Sequence, residues 1–149
     1  MKAFRDVDRR IAGWMQAYGI QALRVSLAVV FIWFGVLKPL NLSPASQLVA
    51  RTVYWVDPKW FVPFLGWWEV LVGVCLLVRP LVRVAILLLL LQMPGTILPL
   101  FIVPEACWVR IPYAPTLEGQ YIIKNLVLIS AALVVGGTVR ERSRPSRRL

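Results

Sequence analysis

Four stretches of the chain are almost wholly apolar, and their length sets the first expectation. They run over about 20–40, 61–78, 81–103 and 120–137. Each approaches the ~20 residues that a helix rising ~1.5 Å per residue needs to cross ~30 Å of hydrocarbon. A helix also satisfies its own backbone polar groups, which an open strand in lipid cannot do. The pattern predicts an all-α membrane protein: a four-transmembrane-helix bundle forming a single membrane domain over 1–149, with a basic tail over 138–149.

Two flanking segments show helical periodicity instead of uniform apolarity. Phe4, Val7, Ile11, Trp14, Met15 and Tyr18 recur at three- and four-residue spacing, with Arg5, Asp8 and Arg9 off that stripe. In the second segment Ser43 is placed to cap a helix with Pro44 at its first position. Leu48, Val49, Thr52, Val53 and Val56 form its apolar side, and Asp57-Pro58 ends it. Both predict amphipathic helices lying in the membrane interface. They either pack against the bundle and headgroups or gate a lipid-facing pocket from the side.

Composition supports the bilayer. The chain is 59% apolar and 16% charged, with a mean hydropathy of +0.71, which excludes intrinsic disorder and an ordinary soluble domain. At 149 residues there is no room for a large soluble enzyme with an appended domain.

The formal charge of +10 raises nucleic acid as a partner, and the distribution of charge argues against it. Lys2, Arg5, Arg9, Arg10 and Arg24 precede or open the first run. Arg79 and Arg83 flank the turn at Pro80, and Arg140, Arg142, Arg144, Arg147 and Arg148 follow the fourth. Those twelve fall on one side, against Arg51, Lys59 and Arg110 on the other. This is the positive-inside pattern, with both termini in the cytoplasm. No folded basic domain remains to bind nucleic acid. The first run begins late and no small-x-small site follows it, which argues against a cleaved signal peptide.

The residue types restrict the chemistry further. The chain has no histidine, which removes His-ligated metals, bis-His haem and a Ser-His-Asp relay. Its two cysteines, Cys75 and Cys107, are too few for an iron–sulfur cluster and are not spaced as C-x-x-C. No catalytic residue, metal or covalent cofactor is expected. Cys75 reads as a small apolar core residue. Cys107 reads as an exposed loop thiol among Pro104, Pro112 and Pro115, too far from Cys75 for a disulfide.

Ionisable groups within spans cost roughly 2.5–3.5 kcal/mol each at mid-membrane, so each needs a reason. They are Lys38, Glu69 and Lys124, accompanied by Gln92, Thr96 and Asn125. All six fall at mid-depth or in the outer half, and the inner half is apolar. Side chains lean toward the N-terminus of their own helix, so Lys38 and Glu69, on oppositely directed spans, approach each other in depth. Gly66, Glu69 and Gly73 share one face, and the missing side chains are expected to leave space beside the carboxylate. Gln92, Gly95, Thr96 and Pro99 share another face.

Two readings stay open. Glu69 pairs with Lys38 or Lys124 only to neutralise charge and fix register. Alternatively these groups form a ligand-binding pocket open to the outer leaflet, walled by Trp33, Trp67, Trp68 and Tyr121. Its two lysines against one glutamate suit a quinone oxygen that becomes anionic on reduction, or an anionic headgroup. On the fourth span, Ala132-x-x-x-Gly136 permits a close helix contact.

These residues also carry a resemblance. FIWFGVLKPL, GWWEVLVGVCLL, MPGTILPLFIVPE and PTLEGQYIIKNLVLISAALVV together resemble the DoxX-like membrane protein family, in particular its YkgB-like branch, over roughly 24–135. The Phe31-Gly35-Lys38 and Gly66-Glu69-Gly73 patterns carry it, in order with the EGQYIIKN segment. The resemblance implies a four-helix bundle in the bacterial cytoplasmic (inner) membrane, with Lys38, Glu69 and Lys124 as the matching polar positions. Relatives include membrane subunits of thiosulfate:quinone oxidoreductase and partners of redox-defence systems; more distant ones act as receptor chaperones or cargo receptors. Two functions are therefore expected to compete. One is a quinone- or lipid-binding component of a membrane redox system, at most an accessory subunit. The other is a non-enzymatic protein that docks a membrane or periplasmic partner or a second copy of itself.

Overall fold

No proline interrupts the chain between Lys2 and Leu37, and the whole of it forms one helix, α1 (Lys2–Leu37). The computed structural model describes residues 2–141, with side-chain surroundings defined over 5–138. The remainder of the arginine-rich tail, 142–149, lies outside the described residues. The first amphipathic segment is thus not a separate interfacial helix but the opening turns of α1. Gly13 and Gly19 lie within it, and an interior glycine costs only about 1 kcal/mol relative to alanine, too little to end a helix. At ~1.5 Å per residue α1 is about 54 Å long, and residues 5–22 are exposed along their length.

α1 ends where Lys38-Pro39 follows. The Asn41 amide donates to the Lys38 carbonyl at 3.0 Å and the Leu42 amide to the Leu37 carbonyl at 2.9 Å, the paired bonds of a Schellman termination. Asn41 occupies its left-handed position, at φ 58°, where asparagine is the best tolerated residue after glycine. A short helix, α2 (Ala45–Thr52), follows with no side-chain cap from Ser43. It ends at Thr52, whereas Asp57-Pro58 begins the next helix, α3 (Pro58–Leu77). Asp57 caps α3 by accepting from the Lys59 amide at 2.9 Å. A 3-10 turn (Arg79–Leu81) then reverses the chain into α4 (Val82–Ile97), which α5 (Pro99–Ile102) extends. After α6 (Pro104–Cys107) a small hairpin, β1 (Trp108–Arg110) with β2 (Ala114–Pro115), leads to α7 (Leu117–Ile123) and α8 (Asn125–Glu141).

Four segments are long and apolar enough to cross a membrane: Arg5–Leu37, Pro58–Leu77, Arg79–Ile102 and Leu117–Thr138. They pack in a ring, α1 on α3, α3 on α4, α4 on α8 and α8 on α1, as short connections between antiparallel neighbours require. The apolar core fills the end of the ring nearest the Arg79–Leu81 turn. Leu27, Phe31, Val72, Leu76, Leu89 and Val135 form it, with Cys75 packed among them.

α1 and α3 approach each other closely, main chain against main chain. A methyl group at Gly66 would stand 2.5 Å from the Gly35 carbonyl oxygen, and one at Gly35 would stand 2.7 Å from the Gly66 carbonyl oxygen. At Gly73 it would stand 2.8 Å from the Ala28 carbonyl oxygen. These glycines leave no space beside Glu69, contrary to expectation; the backbone of α1 occupies it. On α8, Gly136 faces the end of the Ile86 side chain of α4 rather than a backbone, the close helix contact that the Ala132-x-x-x-Gly136 spacing permits.

Candidate functional site

The opposite end of the bundle is hollow. A cavity of about 490 Å³ lies between α1, α3, α4 and α7–α8, with α2 along one side. Its surface is mainly hydrocarbon, from residues such as Phe31, Phe34, Leu65, Met93 and Leu128. Exposed Phe34, Phe64, Leu91 and Tyr121 are also among the lining residues, so the cavity is not sealed from the outside of the bundle. A concave apolar chamber with a few converging polar groups is the usual form of a small-molecule site.

The polar groups converge on Glu69. Lys38, held just past the end of α1 by the Asn41 turn, donates from Nζ to Glu69 Oε2. Gln92 of α4 donates from Nε2 to Glu69 Oε1 at 2.8 Å. Each carboxylate oxygen therefore has its own donor. The Lys38 and Glu69 side chains are 7% and 12% exposed, so this pair is largely out of solvent. Such a pair depends on good geometry and added hydrogen bonds to offset desolvation, and Gln92 supplies one. Gln92 is itself buried, and its Oε1 has no partner.

The neighbouring polar residues are fixed by local bonds. The Trp68 indole donates from Nε1 to the Leu88 carbonyl at 3.3 Å, which ties α3 to α4 and sets the ring against the cavity. The Thr96 hydroxyl donates to the Met93 carbonyl at 2.9 Å, one turn back on a helix that Pro94 interrupts as a donor. Tyr121 stands against Phe34, with ring centroids 6.2 Å apart. On α2, along the side of the chamber, the Thr52 hydroxyl donates to the Leu48 carbonyl at 2.7 Å, so its buried oxygen is paired.

Of the nine residues expected to bind a ligand, Lys38, Glu69, Gln92, Thr96, Trp68, Tyr121 and Asn125 line this one cavity. Lys124 and Trp67 do not. Successive helical residues are about 100° apart around the axis, so the turn of α3 that directs Trp68 inward turns Trp67 out, to 60% exposure. Tyr121 and Asn125 share a face, and Lys124 beside them is exposed. Trp33, the other expected wall, is exposed as well. The charged lining is then one cation and one anion, already paired, in place of two lysines against one glutamate. The residues of α2 that line the chamber, Leu48, Val49 and Thr52 among them, were legible only as an apolar helical stripe.

Cys107 departs from expectation too: it is fully buried. The Thr116 hydroxyl caps α7 by accepting from the Gly119 amide at 3.1 Å and donates to the Ala106 carbonyl at 2.7 Å. The Thr116 amide donates to the Cys107 carbonyl at 2.9 Å. This folds α6 and α7 together over the thiol. Burial, then the carboxylates of Glu118 and Glu105, hold the Cys107 thiol above its ordinary range. Both cysteines are free thiols.

Comparison with protein-family models, curated proteins and solved structures finds no match to this chain.

Proposed function

We propose that the protein crosses the bacterial cytoplasmic membrane four times, with both termini in the cytoplasm, and holds the head of an amphiphilic ligand in its outer-half cavity. The twelve-to-three split of basic residues supports this orientation. In that orientation the Arg79–Leu81 turn would lie inside and the cavity would face the outer leaflet. The ligand class is a quinone or a lipid of similar shape. The chain would serve as a binding component of a membrane redox system, an accessory to a partner that carries the redox centre.

One observation carries the reading: an apolar chamber of about 490 Å³ that ends in the buried Lys38–Glu69–Gln92 set. The paired charges favour a neutral polar head over an anionic one, because an anion would have to compete with Glu69 for Lys38. The likeness of these same positions to DoxX-like proteins supports the quinone within that class. Glu69 would orient the head through Lys38 and Gln92 rather than meet it directly, both its oxygens being occupied.

The test uses Gly95, which lines the cavity and where an added Cβ would meet nothing within 4 Å. Gly95→Leu should fill the chamber without disturbing the packing. Lipophilic molecules that co-purify in mild detergent are then quantified by mass spectrometry per mole of protein. Near-stoichiometric quinone or one lipid species in the unaltered protein, lost in Gly95→Leu at unchanged melting temperature, is the expected result. Bulk phospholipid alone in both samples would refute the proposal.

A docking role is favoured by a different observation. The stripe of Val7, Ile11, Trp14, Met15 and Tyr18 is exposed along the part of α1 that extends past the bundle, where a membrane-surface or protein partner would meet it.

A further inference from the structure

The polar side chains on the cavity wall divide into those the fold has paired and those it has not. Lys38 and Gln92 donate to Glu69, while Trp68, Thr96 and Thr52 donate to main-chain carbonyls. Asn125 and Tyr121 line the same cavity, and neither side chain hydrogen-bonds to any of the described residues. Nor is the Asn125 amide sealed off. Outside exposed residues, the described side-chain polar atoms that are both inaccessible and unpaired are Ser46 Oγ and Gln92 Oε1. Asn125 is only half-buried, so its unpaired amide meets open space. It lies within Leu117–Thr138, the fourth segment fit to cross a membrane, where hydrocarbon offers an amide no partner. The open space that can hold a partner for it is then the chamber. Tyr121, one turn away on the same wall, is 49% exposed and stands against Phe34.

We infer that Asn125, assisted by Tyr121, determines head-group specificity by donating to a carbonyl oxygen of the ligand. This rests on the cavity being a ligand site, and it narrows the class. Asn125 Nδ2 carries two hydrogens and Tyr121 Oη one, so an oxygen with two lone pairs and no proton of its own is held by both residues at once. α8 packs on α1 and α4 and stands across the ring from α3, so Asn125 meets the head from the side opposite Glu69. A quinone ring and a lipid acyl ester both present such an oxygen. An ether is a weaker and more shielded acceptor, and a hydrocarbon is none.

Equilibrium binding to the full chain in detergent micelles tests it with carbonyl probes and carbonyl-free counterparts. The pairs are decylubiquinone with decylbenzene, and methyl dodecanoate with dodecyl methyl ether. In the unaltered protein the carbonyl member of at least one pair should bind about three- to ten-fold tighter, the worth of one net hydrogen bond. Asn125→Leu keeps the volume and removes the donor, and Tyr121→Phe removes only the hydroxyl. Either should cancel most of that preference by weakening the carbonyl probe, and leave its counterpart within about two-fold of the unaltered protein. An Asn125 that served only the packing would instead weaken all the probes together. Preference confined to decylubiquinone assigns a quinone head, and preference for methyl dodecanoate assigns an acyl ester; both outcomes support the inference. Probes that bind without carbonyl preference, or a preference that survives both substitutions, would overturn it and leave the ligand cavity standing. So would dodecanol that binds tighter than methyl dodecanoate and alone depends on Asn125, since the head would then be a donor. Binding by none of the probes would overturn the cavity reading as well. The comparisons in the unaltered protein and in Tyr121→Phe decide the matter even if Asn125→Leu does not fold.

Discussion

Replacing Gly66 by alanine tests the backbone contact on which the α1–α3 pair is built. The added methyl would lie 2.5 Å from the Gly35 carbonyl oxygen, 2.7 Å from Pro39 Cδ and 2.8 Å from Lys38 Cβ. An ordinary contact begins at about 3.4 Å, so α1 would have to retreat from α3 by close to 0.9 Å. None of the three obstacles is the free end of a flexible side chain, and no rotamer change removes them. Overpacking of this kind costs roughly 1–3 kcal/mol, and for a chain of this size each kcal/mol lowers Tm by about 2–4 °C. The expected fall is therefore about 2–12 °C, read as thermal unfolding in one detergent at fixed protein concentration. Gly95→Ala is the control, since the same methyl meets open space there and alanine is the better helix former by up to ~1 kcal/mol. Gly66→Ala should also shift Lys38 away from Glu69 and weaken ligand retention. If both alanine variants melt alike, the close packing of α1 on α3 is not a source of stability and the argument fails.

Two other perturbations have signs fixed by the structure. Lys38→Met or Glu69→Leu alone leaves a buried charge without its partner and should cost about 3–5 kcal/mol, whereas the two together should restore most of the loss, because apolar replacement of a buried pair is often neutral; a double-mutant cycle of melting temperatures that comes out additive would contradict the pairing. The Cys107 thiol is held above the ordinary 9.0, so the unfolded chain gives up that proton first as pH rises and stability falls from about pH 9 upward through the folded value. Cys107→Ala should remove that part of the alkaline loss, and a melting temperature with the same alkaline slope in both proteins would contradict it.

How far the sequence reaches depends on what kind of information each feature needs. The spans were legible because apolar run length is a one-dimensional property, yet their ends were not. Pro58, Lys59 and Trp60 belong to α3 because Asp57 caps them, which run length does not register. The first amphipathic stripe was visible, but whether it stands alone was not, since Gly19 between Tyr18 and Gln21 is too weak a breaker to end α1 and no proline follows it. Lys38, Glu69 and Gln92 stood out as polar residues among apolar ones, and the lean of side chains along oppositely directed helices brought the first two to one depth. Rotation was harder to read. Trp67 against Trp68, and Lys124 against Asn125, differ by a single helical step, and only the neighbours of the folded helix choose between them. The glycines of α3 show the same limit. Their spacing marked a special face, but whether a missing side chain makes a hole or admits a backbone depends on what packs against it, here α1.

The Gly35–Gly66 contact has a mechanical consequence for the chamber beside it. Two walls of the cavity, α1 and α3, meet main chain to main chain at Gly35 and Gly66, where neither residue has a side chain to rotate or compress. That seam behaves as a rigid spine. Any change in the volume of the chamber must then come from the walls joined less closely: α2 along one side, the proline-interrupted α4–α5 segment, and the short α7 with its turn at Lys124. A ligand would enter and leave by displacement of those elements against a fixed edge, as the loose cover of a book moves against its binding.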